Sequence, residues 1–395
     1  MPVGNNASPL QTVICENHRM SSPGLLRFWL VLLLLISSAA CLAQGASDKG
    51  AEFLYAVENP CCTVSSIEAF QIDTNTGSLT PLSSPMVLSS RAQDIVVDRK
   101  SKFLFVGEST PFSVQPTVTS FGIDDSGTLA LASQIALPGT NDTLTGLALD
   151  RTGTNLYASA TRVLSEGSVS PLTVDRDSGT VAVLGPGPGN QLMPGRLYMH
   201  PSGQFLYASL LTRHHHPSEG GYDLYLRDPQ TGTLTYPNKQ FRTQFFPEYE
   251  ESAFVSHGRF LVGVGRFVHS ADVFSVNTDT GDLTVSSRLP GDFRGVAADR
   301  TGSFVVLAGG DGNVASYAVN DDGSLTQAGA ATAVPNVSTV ILDESNRFVY
   351  INSPGTAQIF AYTFDAETGA LGSVAGSPFT MAGTPIRMAT AAPKK

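Results

Sequence analysis

Charge is scarce in this chain. Only 15% of the 395 residues are Asp, Glu, Lys or Arg, and 24 basic residues face 34 acidic ones, for a formal charge of -10. Nucleic-acid affinity rests on Lys and Arg neutralising phosphate, so no nucleic-acid partner is expected. No polybasic run is present to hold an anionic membrane. Long helical periods are absent too, and the continuous apolar run Phe28 to Ile36 is too short to span a bilayer comfortably. There is no Gly-x-Ser-x-Gly elbow, no His-Glu-x-x-His and no phosphate loop, which excludes the familiar nucleophile, zinc-peptidase and nucleotide signatures. Hydrolysis of a lactone by acid/base chemistry needs none of them and stays open.

Cysteine is nearly as rare, at four residues: Cys15, Cys41 and the adjacent pair Cys61 and Cys62. Residues 1–43 read as a secretory signal peptide, with one positive charge, the Phe28 to Ile36 core and the small residues Ser37 to Ala43. Met20 is a second possible start, which would make 1–19 an upstream extension. Cleavage after Ala43 gives a soluble product, whereas cleavage before Cys41 gives a lipid-anchored one; both predict export to the periplasm, cell surface or medium. An oxidising compartment permits a disulfide between Cys61 and Cys62, and two loop thiols are the other reading.

What the sequence has in quantity is turn residues, with 38 Gly and 24 Pro. The stretch Gly146 to Ser159, GLALDRTGTNLYAS, shows a strand, an Asp-x-x-Gly turn and a second strand. The second strand recurs at Phe53, Phe103, Asn155, Phe205, Phe260, Phe304 and Phe348, and each copy is followed by a further hairpin such as VTSFGIDDSGTLALA from Val118. Period-two alternation into an Asp- or Asn-rich turn ending in Gly is a hairpin signature, and the acidic turns lack the ligand spacing of a calcium loop. Seven repeats of about 50 residues predict an all-β, seven-bladed β-propeller of four-stranded antiparallel blades over 51–391, with a short tail at 392–395. The chain enters on the second strand of a blade and leaves on Thr384 to Ala391. The C-terminal strand is therefore expected to complete the first blade, with Ile386 to Thr390 beside Phe53 to Val57.

The combination of GLALDRTGTNLYAS, SVSPLTVDRDSGTVAVL and MHPSGQFLYAS resembles the seven-bladed lactonase family, which includes 6-phosphogluconolactonase-like and muconate-cyclase-like enzymes and grades into YVTN surface-repeat proteins. The resemblance implies either a hydrolase acting on a small lactone or sugar-acid ring or a non-enzymatic envelope propeller presenting loops to a protein or glycan. Family enzymes carry Gly-Pro-Arg-His before the His-Pro-x-Gly turn. Here Gly195 stands at the expected arginine and Arg196 at the expected histidine, and Leu210-Leu211 replace an Asn-Glu pair. The phosphogluconolactonase reaction itself is therefore not expected.

Candidate site residues fall in loops expected on one face of the channel. Arg196, Glu250 and Arg294 are the candidate catalytic groups: a carboxylate base and guanidinium groups for an oxyanion or carboxylate, with Arg196 and Arg294 opening adjacent inner strands. His214, His216, Glu248, Glu251, Arg266 and His269 are the candidate binding residues. A metal held by His214 or His216 with Glu250 is disfavoured, because neighbouring histidines on an extended loop point apart, and no metal or cofactor is expected. Solvated loop residues of an acidic protein are the bland reading of the same cluster. His257 reads as a turn residue. A monomer binding a small lactone, a carbohydrate or an envelope protein is expected, with no membrane span.

Overall fold

The computed structural model describes residues 51–59, 64–109, 115–138, 142–162, 167–188, 193–211, 220–242, 248–265, 267–331 and 333–392. The signal segment, the Cys41 anchor and the Cys61–Cys62 pair lie outside the described residues. The remainder folds into seven antiparallel sheets. Their second strands start at Glu52, Phe103, Asn155, Phe205, Phe260, Phe304 and Phe348, so six of the seven begin on the residue expected and the first begins one earlier.

In each blade the chain runs from an inner strand outward. The inner strands are Pro385–Ala391, Ala92–Val97, Asp142–Leu149, Pro194–Met199, Glu251–Val255, Phe293–Ala298 and Val340–Leu342 for blades one to seven, and each packs against the inner strands on either side until the ring is complete. Closure is as the repeat phase predicts: Pro385–Ala391 pairs with Glu52–Glu58 in a register placing Phe53 opposite Ala391 and Val57 opposite Arg387. In blades one, four and seven the outer strand is broken into two short pieces, both bonded to the third strand.

The two recurring sequence features, an aromatic residue opening the second strand and a glycine ending the outer hairpin, are two halves of one contact. Phe53, Phe103, Asn155, Phe205, Phe260, Phe304 and Phe348 lie against Gly127, Gly179, Gly232, Gly281, Gly323, Gly369 and Gly77, in each case the hairpin glycine of the next blade. The same glycine carbonyl accepts a hydrogen bond from the preceding blade. Tyr55, Tyr157, Tyr207 and Tyr350 donate at four junctions, and Ser120, Ser287 and Ser316 donate at the three where the strand lacks tyrosine. Asn155 is the odd member, and the buried Arg227 completes its junction, donating to Asn155, the Tyr157 hydroxyl and the Asp150 carboxylate at 2.6–2.9 Å.

A clean test separates this contact from ordinary turn chemistry. Gly127 has φ +79° and an added methyl would fall 2.5 Å from the Phe53 ring, while Gly153 has φ +72° with nothing nearer than 4.0 Å. Gly153→Ala is expected to cost about 1 kcal/mol from its left-handed backbone alone. Gly127→Ala is expected to cost about 2–4 kcal/mol, because overpacking adds to it. Urea denaturation of both variants checks this, and equal losses would mean that the junction tolerates the methyl.

Candidate functional site

The seven inner strands enter the channel from one face, and their first residues can be matched by register. In each blade one inner-strand residue lies opposite the position four places after the residue that opens the sequence repeat. These residues are Arg387, Asp94, Gly146, Arg196, Glu251, Gly295 and Thr339. Four of the seven are charged, and they join. Arg196 Nη1 lies 3.2 Å from Asp94 Oδ1, Arg196 Nε lies 3.5 Å from Glu251 Oε1, and Arg387 Nη1 lies 3.6 Å from the same Glu251 oxygen. Arg387 Nη1 also donates to Thr339 Oγ1 at 3.2 Å. The two glycines leave room: a Cβ on Gly146 would lie 2.8 Å from Arg196 Cα.

The preceding residue supplies the mouth in six blades, Gln93, Thr145, Gly195, Glu250, Arg294 and Ser338, whereas Ile386 packs on the core of blades one and two. In blades one, two, three, four and six an irregularity in the pairing falls at this point and frees the residue from the sheet, as bulges beside sites do. Two adjoining hollows open here and share Glu250 and Ser338. One, of about 350 Å³, is lined by Gln93, Thr143, Thr145, Arg196, Ser209, Glu251 and Arg387 among others. The second, of about 440 Å³, is lined by Arg294, Gly310, Asn336, Val337, Pro354 and Gly355. Both sizes suit a small ligand. Gly310, Pro354 and Gly355 come from loops between second and third strands, the face on which the repeat places them.

Burial sets the electrostatics. The side chains of Arg196, Glu251 and Asp94 are 14%, 13% and 8% exposed. Loss of water pushes the Glu251 carboxyl up to about 7, with Asp94 and Glu250 adding to the rise and Arg196 opposing it. Burial alone would weaken the proton on Arg196, but Glu251 and Asp94 more than offset this and hold it above the ordinary arginine value. A tyrosine layer backs the segment. Tyr249, immediately before Glu250 and Glu251 in sequence, stacks on Tyr222 at 4.9 Å and donates to Asp272 at 2.7 Å, while the Tyr222 hydroxyl meets Ser252 at 2.6 Å. Gly263 is required there, since a Cβ would sit 2.2 Å from the Tyr222 hydroxyl.

No protein-family model matches this sequence, and no curated protein matches it. Solved structures do. The periplasmic gluconolactonase PpgL of Pseudomonas aeruginosa aligns with a TM-score of 0.71 at 20% identity, over 87% of this chain and 99% of that one. A candidate 6-phosphogluconolactonase of Bacteroides fragilis gives 0.70 at 16% identity over 88% and 99%, and one from Bacteroides uniformis gives 0.69 at 13% over 87% and 100%. The chain has the fold of the gluconolactonase propellers.

Within this lactonase fold the expected residues divide into groups. Arg196, Glu251 and Glu250 meet at the first hollow, and Arg294 lines the second with Glu250. The two arginines stand in blades four and six, so their strands are not adjacent as expected: blade five, with the glutamates, lies between them. Arg294 pairs with Asp292 at 2.9 Å. Glu248 and His269 lie outside both hollows, and His269 is exposed at φ +53°. His214, His216 and Arg266 lie outside the described residues. His257 is a turn residue, at φ +58° in the Ser256–Gly258 turn. Asp94, Arg387 and Asp292 were not anticipated. Aligning the repeats on their inner strands would have found the first two, since RAQDIVV, PGRLYM and TPIRMAT put Asp94, Arg196 and Arg387 in one column.

Proposed function

We propose that this chain is an exported lactonase-type hydrolase that opens a small lactone or sugar-acid ring at the channel mouth. The observation that carries the reading is the buried Asp94–Arg196–Glu251–Arg387 chain facing a hollow of ligand size. The likeness to a periplasmic gluconolactonase supports the substrate class and the compartment. In this reading the neighbouring glutamates exchange the roles suggested by sequence. Glu251, whose carboxyl titrates near neutrality, takes a proton from water as the water oxygen bonds to the lactone carbonyl carbon. Arg196 holds the oxyanion that forms. The ring C–O bond then breaks, and the proton on Glu251 passes to the departing alkoxide, leaving the hydroxy acid. Glu250 and Arg294 orient hydroxyl groups of the substrate from the shared wall.

Purified protein assayed against a panel of aldonolactones tests this directly. Turnover is expected, with kcat/KM rising as pH increases through about 7, because the base must be ionised. Glu251→Gln should lower kcat by about 100-fold or more and abolish that pH dependence. No turnover of any lactone, or full turnover by Glu251→Gln, would remove the reading.

A further inference from the structure

The opposite end of the channel carries a second hollow, of about 440 Å³, that the proposed hydrolase does not use. It lies among the turns joining first and second strands in blades three to six. Its wall includes Arg151, Pro201, Ser202, Phe254, His257 and Arg300. From this geometry we infer a binding site for a small organic carboxylate, one with an apolar body.

The turns explain why cations face this space. The residue that opens each turn is consumed by its own backbone. Asp150 accepts the Thr154 and Asn155 amides and the Arg227 guanidinium, and Asp299 accepts the Thr301 and Phe304 amides. His200 is held at both nitrogens, by Ser202 at 2.8 Å and the Gly258 carbonyl at 3.0 Å. The buried acids are thus occupied, while the residues that follow them, Arg151 and Arg300, stay exposed at the rim. Arg151 spends one nitrogen on the Pro201 carbonyl at 2.9 Å, and Arg300 pairs with Glu344, which leaves further N–H groups on each fork.

Blade five departs from its neighbours in a second, independent way. Its turn opens on Val255 where blades three and six have Asp, so no side chain organises the amides, and Ser256 and His257 both take left-handed backbone at φ +48° and +58°. Such backbone is unfavourable for residues other than glycine and is found where a side chain must be aimed. Here the imidazole of His257 joins the two arginines on one hollow. Phe254, wedged edge-on against His200 at 5.1 Å, and Pro201 supply the apolar wall. Two arginine forks and an imidazole beside an aromatic ring suit a planar carboxylate attached to a ring or short chain.

Benzoate titrated into the whole protein, followed by calorimetry and by amide shifts of the Ser202 and Gly258 segments, tests the site. Saturable binding is expected, weakened at least tenfold by Arg151→Ala with Arg300→Ala and left unchanged by Arg294→Ala at the other mouth. Lactone turnover should be unaffected in the double variant, so loss of the hydrolase reading leaves this one standing and the reverse also holds. Absence of saturable binding, equal binding by the double variant, or loss of binding in Arg294→Ala would each overturn the assignment. Inorganic phosphate competing as strongly as benzoate would overturn the apolar half of it, since Phe254 and Pro201 would then contribute nothing.

Discussion

Arg196→Ala is expected to destabilise the protein by about 3–5 kcal/mol, because it strands two buried carboxylates that now share one guanidinium. Asp94 and Glu251 are 8% and 13% exposed, and with Arg196 gone only Arg387, 3.6 Å from Glu251, stays close by. The loss should shrink as the solution is acidified below about 7, since Glu251 can then take up a proton and become neutral. Any lactone turnover should fall about 100–1,000-fold in the same variant, the usual cost of losing an oxyanion partner. Urea denaturation at pH 5.5 and 8 measures the first effect and steady-state kinetics the second. Replacing the whole chain of charges with Asp94→Asn, Arg196→Met, Glu251→Gln and Arg387→Met should recover most of the stability and none of the activity. A destabilisation under about 1 kcal/mol at both pH values would mean that the ion chain is solvated and not a buried unit.

The fold was legible because its repeated contact uses residues that stand out in any sequence. A residue opening the second strand, Phe in six copies and Asn155 in one, and a glycine ending an Asp- or Asn-rich turn recur because the first packs on the second across every blade junction, so seven copies report seven junctions. Ring closure was legible for the same reason, as a strand missing at one end and surplus at the other. The site was half legible. Arg196 and the Glu248 to Glu251 cluster announce themselves as local charge in an uncharged chain, but Asp94 and Arg387 stand almost 300 residues apart in sequence and meet only through register. Nothing local marks them. His214, His216 and His269 were candidates by their place in expected loops, and place on a variable loop says little about where side chains converge. Which glutamate is buried could not be read either: Glu250 and Glu251 are neighbours of the same type, and the blade geometry alone decides that the second faces Arg196.

Lowering the pH from 8 to 5 should make this propeller more stable, through Glu251 in blade five and through two carboxyls in the blade completed by the C-terminal strand. Glu52 is buried beside Asp343 and accepts the Glu344 amide at 2.5 Å; burial first, then Asp343, pushes its carboxyl up to about 7. At the other end of the same strand pair, Glu58 and Glu68 are hydrogen-bonded to each other, and burial with that contact pushes Glu68 to about 7. A carboxyl raised in the folded state binds its proton there more tightly than in the unfolded chain. Its stabilising contribution is therefore complete below about 4.5 and is lost as pH rises through 7, each group being worth on the order of 3 kcal/mol. The exposed turn aspartates such as Asp73 and Asp175 are shifted downward by backbone amides and act only below the ordinary carboxylate range, so they do not oppose this window. Glu52→Gln with Glu68→Gln should raise the urea midpoint at pH 8 and flatten its dependence on pH; a midpoint that is flat or rises with pH in the parent protein would refute the assignment. Because Glu68 and Glu58 hold the amides of Ala382 and Gly383, which lead directly into Pro385–Ala391, a charge on Glu68 beside Glu58 loosens the strand that shuts the ring. Hydrogen-exchange protection in that strand should accordingly fall between pH 5 and 8, before it falls in the inner strands of blades that carry no raised carboxyl.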